Sequence, residues 1–139
     1  MADQNIELSS ELVVISDPIN SSNFKAIPGA VINYTVVAKN LGNISSDLNT
    51  TVLEQAIDTG SELQTGSLSL TDGAGNNASG LNIAGVTVTY LNAAGNSVIP
   101  NAGFDSQVRT IRMSFSGTFK PKFDTLEPEF SYQYRVRLQ

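Results

Sequence analysis

The sequence predicts an all-β protein folded as an antiparallel β-sandwich of about seven strands. Apolar and polar residues alternate along most of the chain, which is the pattern of strands that bury one face. Clusters of Gly, Asn, Asp and Pro separate the alternating segments at the spacing typical of sandwiches. No long segment repeats its apolar residues with the period of about 3.6 residues that a helix requires. We expect one domain that spans residues 1–139.

The first half of the chain contains four expected strands. They cover residues 6–16, 30–40, 48–57 and 61–70. Within the third, TTVLEQAI is the only segment that could be taken as helical, but its two leading threonines favour a strand. The fourth strand is expected to carry a bulge at Gly66, because a glycine inside a strand often marks one. Before the second strand, Pro28 and Gly29 predict a type II turn with a positive φ angle at Gly29.

The second half contains three further expected strands. They cover residues 85–91, 107–119 and 129–139. The last of them, EFSYQYRVRLQ, places its aromatic and aliphatic residues on one face and Arg135 and Arg137 on the other. The segment TDGAGNNASG, residues 71–80, has the composition of a loop.

Composition excludes several classes of function. Cysteine and histidine are both absent, so disulfides, thiolate metal sites and the usual base near neutral pH are excluded. We therefore expect no enzyme activity and no cofactor. A net charge of -5 argues against a nucleic-acid partner, which requires a basic surface. No apolar run approaches the roughly 20 residues that span a bilayer.

The expected location is extracellular or at the cell surface. The N-terminus, MADQNIELSS, lacks the basic and apolar regions of a signal peptide, so the chain is either cytosolic or a secreted protein whose signal has been removed. Richness in Asn, Ser, Thr and Gly with little Lys and Glu favours the secreted alternative.

The segment SDPIN…KAIPGAVINYTVVAKNLGN resembles the opening of the conserved repeat domain, DUF11, of bacterial and archaeal cell-surface proteins. In that family a Pro-Gly turn leads into a strand with the pattern V-x-Y-T-[VI]-x-[VA]-x-N-x-G. The corresponding positions here are Pro28, Gly29, Val31 or Ile32, Tyr34, Thr35, Asn40 and Gly42. The resemblance extends from about Ile15 to Leu138, and it is more specific before Gly80 than after it.

This resemblance implies an immunoglobulin-like (Ig-like) β-sandwich in an exported protein of the prokaryotic envelope. Modules of that family usually occur in tandem as stalks or adhesin segments, and none of their residues is generally known as catalytic. We expect the present chain to differ from that pattern as a single stand-alone unit. A small secreted or self-assembling subunit is therefore a better expectation than a stalk.

Two groups of polar residues are weaker candidate sites. Asp72, Asn76 and Asn77 offer oxygen atoms of the kind that calcium prefers, but the loop has one carboxylate and an ordinary Gly/Asn turn explains it better. Four arginines lie on the polar faces of the last two expected strands and would form a basic stripe if those strands were neighbours. They are Arg109, Arg112, Arg135 and Arg137. Such a stripe suits an acidic partner or a glycan, whereas cross-strand pairing with Asp and Glu is the simpler interpretation.

The N-terminal strand, about residues 5–16, is the strongest candidate for assembly. It is first in the chain and apolar on one face, so it is able to pair with the sheet of a neighbouring subunit. The side chains on that face are Ile6, Leu8, Leu12 and Val14. The alternative is that the strand folds back onto its own domain.

The expected function is that of a non-enzymatic structural or adhesive protein of the prokaryotic cell surface, such as a subunit of a filament or a surface layer. Its expected partners are copies of itself or another envelope protein, with a glycan as a further possibility. A carbohydrate-binding module that uses an outer sheet face is the alternative. The alternative is weakened because tryptophan is absent and most aromatic residues fall on the inward face.

Overall fold

The computed structural model describes residues 5–139, and within them it contains ten β-strands and one short 3₁₀ helix. The strands are β1 (Ile6–Ser16), β2 (Val31–Asn40), β3 (Val52–Ala56), β4 (Ser61–Gln64), β5 (Ser69–Asp72), β6 (Thr87–Leu91), β7 (Ser97–Val98), β8 (Phe104–Asp105), β9 (Thr110–Ser114) and β10 (Glu129–Leu138). The 3₁₀ helix covers Gly75–Asn77. No helix in residues 5–139 is long and apolar enough to cross a membrane.

The strands form two antiparallel sheets, which confirms the predicted all-β sandwich. In sheet A the order is β1-β2-β10-β4-β8, and β5 also pairs with β10. In sheet B the order is β3-β9-β6-β7. From β2 onward the strands belong in turn to sheets A, B, A, A, B, B, A, B and A, and β2 lies beside the last strand. This order is that of a jelly roll, whereas in an immunoglobulin domain the last strand belongs to the sheet opposite the second.

The strand count exceeds the expected seven for local reasons. β7 and β8 have two residues each, too few for an alternating pattern to be recognised. The expected strand over 61–70 is interrupted rather than bulged, because a turn around Gly66, with a φ angle of 81°, separates β4 from β5. Both halves still pair with β10. The expected strand over 48–57 is present as the shorter β3, with no helix there.

The turn before β2 has the predicted geometry. The N–H of Ala30 donates to the carbonyl of Ile27 at 2.9 Å, and Gly29 has a φ angle of 91°. These are the features of a type II turn with Pro28 and Gly29 at its centre. A Cβ on Gly29 would lie 3.0 Å from the Pro18 ring, so the turn packs tightly on the loop that follows the first strand.

The hydrophobic core lies between the central strands of the two sheets. Phe130 of β10 contacts Phe115 and Phe119, with ring centroids 4.9 and 5.6 Å apart. From sheet B, Ile111 and Met113 of β9 are fully buried. The core is therefore centred on β9 and β10, and it thins toward the side of the sandwich where β1 lies.

Candidate assembly site

The first strand folds back onto its own sheet. β1 pairs antiparallel with β2 along its length, from Ile6 opposite Asn40 to Val14 opposite Ile32. Between Val14 and Ser16 the register shifts, so the regular part of the strand covers residues 6–14. This is the intrachain arrangement, and exchange of the strand with a neighbouring subunit stays a prediction.

The inner face of β1 is only partly covered. Residues opposite each other in an antiparallel pair share a face, so Ile6, Leu8, Ser10, Leu12 and Val14 face the same way as the buried residues of β2. Ile6, Leu8 and Leu12 are nevertheless 37%, 52% and 56% exposed, whereas Val14 is half-buried against the core. β1 thus extends beyond the edge of sheet B. We call Ile6, Leu8, Leu12 and Val14 the inner row.

An open groove runs between the inner row and β3, the edge strand of sheet B; we call it the assembly groove. One part has a volume of about 300 Å³ and lies between Leu8 and Gln55. A second part, of about 230 Å³, continues past Ile6 and Leu53. Ile6 lies two residues before Leu8 on β1, and Leu53 lies two residues before Gln55 on β3. The two parts of the groove therefore follow one another along the strands.

The floor of the assembly groove is formed by three tyrosines of sheet A. The ring of Tyr34 stacks on Tyr134, with centroids 5.3 Å apart and planes 12° apart, and Tyr132 lies 6.4 Å beyond. The hydroxyl of Tyr132 donates to Gln55 Oε1 at 2.7 Å, which connects the two sheets. Burial raises the pKa of Tyr132 to about 12. Burial also raises the pKa values of Tyr34 and Tyr134, and the negative charge of Asp58 raises these two further.

The free edge of β1 exposes its main chain at the inner-row positions. The N–H of Leu41 donates to the carbonyl of Asn5 at 2.7 Å. The N–H of Asn40 donates to the carbonyl of Pro128, the residue before β10, on the other side of β2. In an antiparallel ladder every second residue bonds to a given neighbour. The odd-numbered residues of β1 therefore bond to β2, and the peptide groups of its even-numbered residues, from 6 to 14, face away from the sheet.

β3 has the same property on sheet B. Ile57 donates to the carbonyl of Arg109 at 2.8 Å, and the carbonyl of Thr51 accepts from Phe115 at 3.0 Å, so the odd positions bond to β9. The peptide groups of residues 52, 54 and 56 face away from it. Within residues 5–139 no strand pairs with this edge.

The two sides of the sandwich differ in how they expose strand edges. On the far side the edge strands are β7 and β8, with two residues each, and short edge strands resist pairing with other chains. β1 has eleven residues, and its charged side chains are Glu7 and Glu11, both on the outer face. A long edge with exposed apolar side chains is the type that associates with another strand.

The four candidate arginines do not form one stripe, because β9 and β10 belong to different sheets. Arg112 pairs with Glu54 at 3.0 Å and Arg137 pairs with Glu62 at 3.3 Å. The guanidinium of Arg137 also lies 4.1 Å from the ring centroid of Phe104. The other two arginines make contacts with uncharged groups. Arg109 donates to the carbonyls of Ser61 and Ser106, and Arg135 donates to Asn33 Oδ1 at 3.4 Å.

The candidate calcium loop uses its oxygens internally. Asp72 Oδ1 accepts from the N–H of Gly73 and from both the N–H and the hydroxyl of Ser79, all at 2.9 Å. Asn77 Oδ1 accepts from the N–H of Glu127 at 3.2 Å, and Asn76 is exposed. Over residues 5–139 no group of three or more His, Cys, Asp or Glu side chains is arranged to hold a metal ion. These contacts give the loop a structural role.

The chain matches no family model, no curated protein and no solved structure. The resemblance to the conserved repeat domain therefore stays a prediction.

The β3 side of the groove was missed in the sequence. Alternation places Gln55 in an expected strand without a role, and it places the tyrosines on inward faces without showing what covers them. One signal was present: Tyr34, Tyr132 and Tyr134 share the inward register of two strands, and a tyrosine in such a position usually needs a partner for its hydroxyl.

Proposed function

We propose that the protein is a non-enzymatic structural or adhesive subunit of the prokaryotic cell surface that assembles with copies of itself, as in a filament or a surface layer. One observation carries the proposal. The inner row, which alternation would assign to a core, lies partly exposed along a long edge strand whose two charged side chains are on the opposite face. A partner that covers this edge completes the burial that the sequence pattern anticipates.

The energetic gain from covering the row is substantial for an association. Complete burial of a leucine side chain contributes about 1.5–3 kcal/mol. Leu8 and Leu12 are each about half exposed, so each has roughly 1 kcal/mol still to gain in every subunit. The exposed peptide groups of β1 and β3 add main-chain hydrogen bonds, which carry the affinity when a strand is added to a sheet edge.

Light scattering and electron microscopy of the purified protein test this proposal. We expect concentration-dependent oligomers or fibres for the unaltered protein and their loss in the double variant Leu8→Thr/Leu12→Thr, in which threonine keeps the strand preference. Ile99→Thr is the matched control, because Ile99 is 90% exposed in a loop away from β1. A strict monomer at high concentration, or equal loss of assembly in the control, would contradict the proposal.

The location is tested separately on intact cells of the source organism. A surface protein should be labelled by an impermeant reagent or digested by added protease before lysis. Protection until lysis would remove the cell-surface part of the proposal while leaving self-assembly untouched.

One observation favours a second candidate, a carbohydrate-binding module. On the outer face of sheet A, Asn33, Gln133 and Arg135 lie side by side and make contacts of 3.4 Å with one another. Gln133 Nε2 also donates to the hydroxyl of Ser69 at 3.2 Å. Such amide and guanidinium groups remain able to bind sugar hydroxyls. Retarded migration in gels that contain polysaccharide, restored to normal by Arg135→Ala, would support this role. Unchanged migration across neutral and acidic polysaccharides would exclude it.

A further inference from the structure

We propose that two copies of the protein pair edge to edge through β1, antiparallel, about a two-fold axis that passes beside Ser10. This inference rests on the proposed assembly role and specifies its first contact. It identifies the partner as a second copy of the same strand, and it fixes the register of the pairing.

The main chain of β1 is prepared for such a partner. Its even-numbered residues direct their peptide groups away from β2, so they are the positions that bond to an added strand. The regular part of the strand runs from Ile6 to Val14, where the register shift ends it. Its midpoint is Ser10, an even-numbered residue, so pairing about Ser10 uses the whole regular segment of both copies.

The side chains select this register over its neighbours. With Ser10 opposite Ser10 of the second copy, Leu8 faces Leu12 and Ile6 faces Val14 on the inner side. On the outer side Glu7 then faces Val13. Directly opposed like charges destabilise a strand pair, and this register has none.

The two nearest registers that keep even residues opposite even residues each oppose carboxylates. A shift in one direction places Glu7 opposite Glu11 of the second copy. A shift in the other direction places Glu11 opposite itself. The sequence of β1, IELSSELVV over residues 6–14, is thus self-complementary about Ser10 and about no neighbouring centre.

The contact also covers the inner row. A two-fold axis perpendicular to the sheet leaves both B sheets on the same side of the joined A sheets. Leu8 and Leu12 of the two copies then form one apolar strip, and the two assembly grooves face each other across it. A two-fold contact closes on itself, so a filament or layer built from these dimers uses a second interface elsewhere.

Single cysteines test the contact, because the chain has no cysteine of its own. Opposed residues that exchange both main-chain hydrogen bonds have Cα atoms about 5.5 Å apart, within the range of a disulfide. We therefore expect Ser10→Cys to form a covalent dimer rapidly under mild oxidation. In the same register the residue-9 positions of the two copies lie about 8 Å apart, beyond that range, so Ser9→Cys should remain monomeric.

The cysteine positions also report a wrong register. Dimers from Ser9→Cys or Glu11→Cys in place of Ser10→Cys would overturn the assignment of the axis to Ser10. Absence of cross-linking at all three positions would overturn the β1 pairing altogether. All three positions are exposed, and circular dichroism of each reduced variant confirms that it is folded.

A proline pair provides a readout without oxidation. Proline at position 10 removes an N–H that faces away from the sheet, so Ser10→Pro should weaken dimerisation by about tenfold or more while the monomer stays folded. Ser9→Pro removes an N–H that bonds to β2 and should instead lower the melting temperature. Equal dimerisation of Ser10→Pro and the unaltered protein in sedimentation equilibrium would contradict the proposal.

These outcomes separate the contact from the function. Fibres without cross-linking through residue 10 would refute the β1 pairing and leave the assembly role standing. Specific Ser10→Cys dimers that associate no further, from a protein absent from the cell surface, would support the pairing and refute the role.

Discussion

The buried amide of Asn40 should determine the shape of the groove at one end. Asn40 is fully buried at the end of β2. Its Nδ2 donates to the carbonyls of Ile44 at 3.1 Å and Phe119 at 3.4 Å, and its Oδ1 accepts from the N–H of Gly42 at 3.0 Å. One side chain thus holds the loop after β2 against the segment between β9 and β10 that contains Phe119. That loop provides Ser46 to the second part of the assembly groove.

The cost of Asn40→Ala follows from which partners lose their bond. The carbonyl of Phe119 keeps a donor, since the N–H of Ser46 also bonds to it at 3.1 Å. The carbonyl of Ile44 belongs to a partly exposed residue that water can reach. The N–H of Gly42 is buried and loses its acceptor, which costs about 1–3 kcal/mol. Together with the cavity left behind, we expect a loss of about 2–3 kcal/mol in the free energy of unfolding.

Urea unfolding followed by circular dichroism measures this loss. Asn40→Asp is the informative companion, because a carboxylate keeps the acceptor for Gly42 but faces two carbonyls. Burial favours its neutral form, so this variant should be more destabilised at pH 7 than near pH 4.5, where the protonated group can donate. A change of less than about 0.5 kcal/mol for Asn40→Ala, or no pH dependence for Asn40→Asp, would refute the argument.

Three further predictions concern the same framework. Gly29→Ala should destabilise the protein by about 1–2 kcal/mol in urea unfolding, because the residue has a positive φ angle and its Cβ would press on Pro18. Since the folded pKa of Tyr132 is raised to about 12, its contribution to stability is complete below pH 10 and is lost between about pH 10 and 12; tyrosinate absorbance should therefore rise together with alkaline unfolding. Burial opposes ionisation of Asp105, but hydrogen bonds from Asn101, Gln107 and Val108 outweigh it and lower its pKa. Stability from Asp105 is thus present above about pH 4 and lost as the pH falls further, and Asp105→Asn should flatten the decline in urea midpoint on the acid side.

Most strands were predictable because their apolar and polar residues alternate over enough positions to show that one face is buried. β1, β2 and β10 were found with their bounds correct to within about one residue. β7 and β8 could not be found, since two residues carry no period. The Pro28 and Gly29 turn was predictable because its geometry depends on residue types that few other conformations require.

The candidate site was only half predictable, because a sequence pattern gives the face of a strand but not its neighbours. The sequence identified the inner row of β1 as a candidate site. It predicted a strand at β3 but not that this strand lies across the groove from the inner row. The basic stripe depended on β9 and β10 being adjacent. Since β9 belongs to sheet B and β10 to sheet A, that adjacency does not occur. Pairing between distant segments is fixed by the whole fold and cannot be read from local alternation.

The composition of β1 itself argues that its edge is used. An edge strand that serves only its own sheet is usually protected by charge, by proline or by shortness. β1 has none of these along its inner row, although threonine or lysine at positions 8 and 12 would keep the pairing with β2 and cost the monomer roughly 1 kcal/mol each. On the same strand the outer face does carry two glutamates. The charged side chains thus lie on the outer face of β1, where they would distinguish one register between two copies from another. The inner face, where apolar side chains of the two copies would meet, has none. This distribution is the one that the proposed pairing of two β1 strands requires.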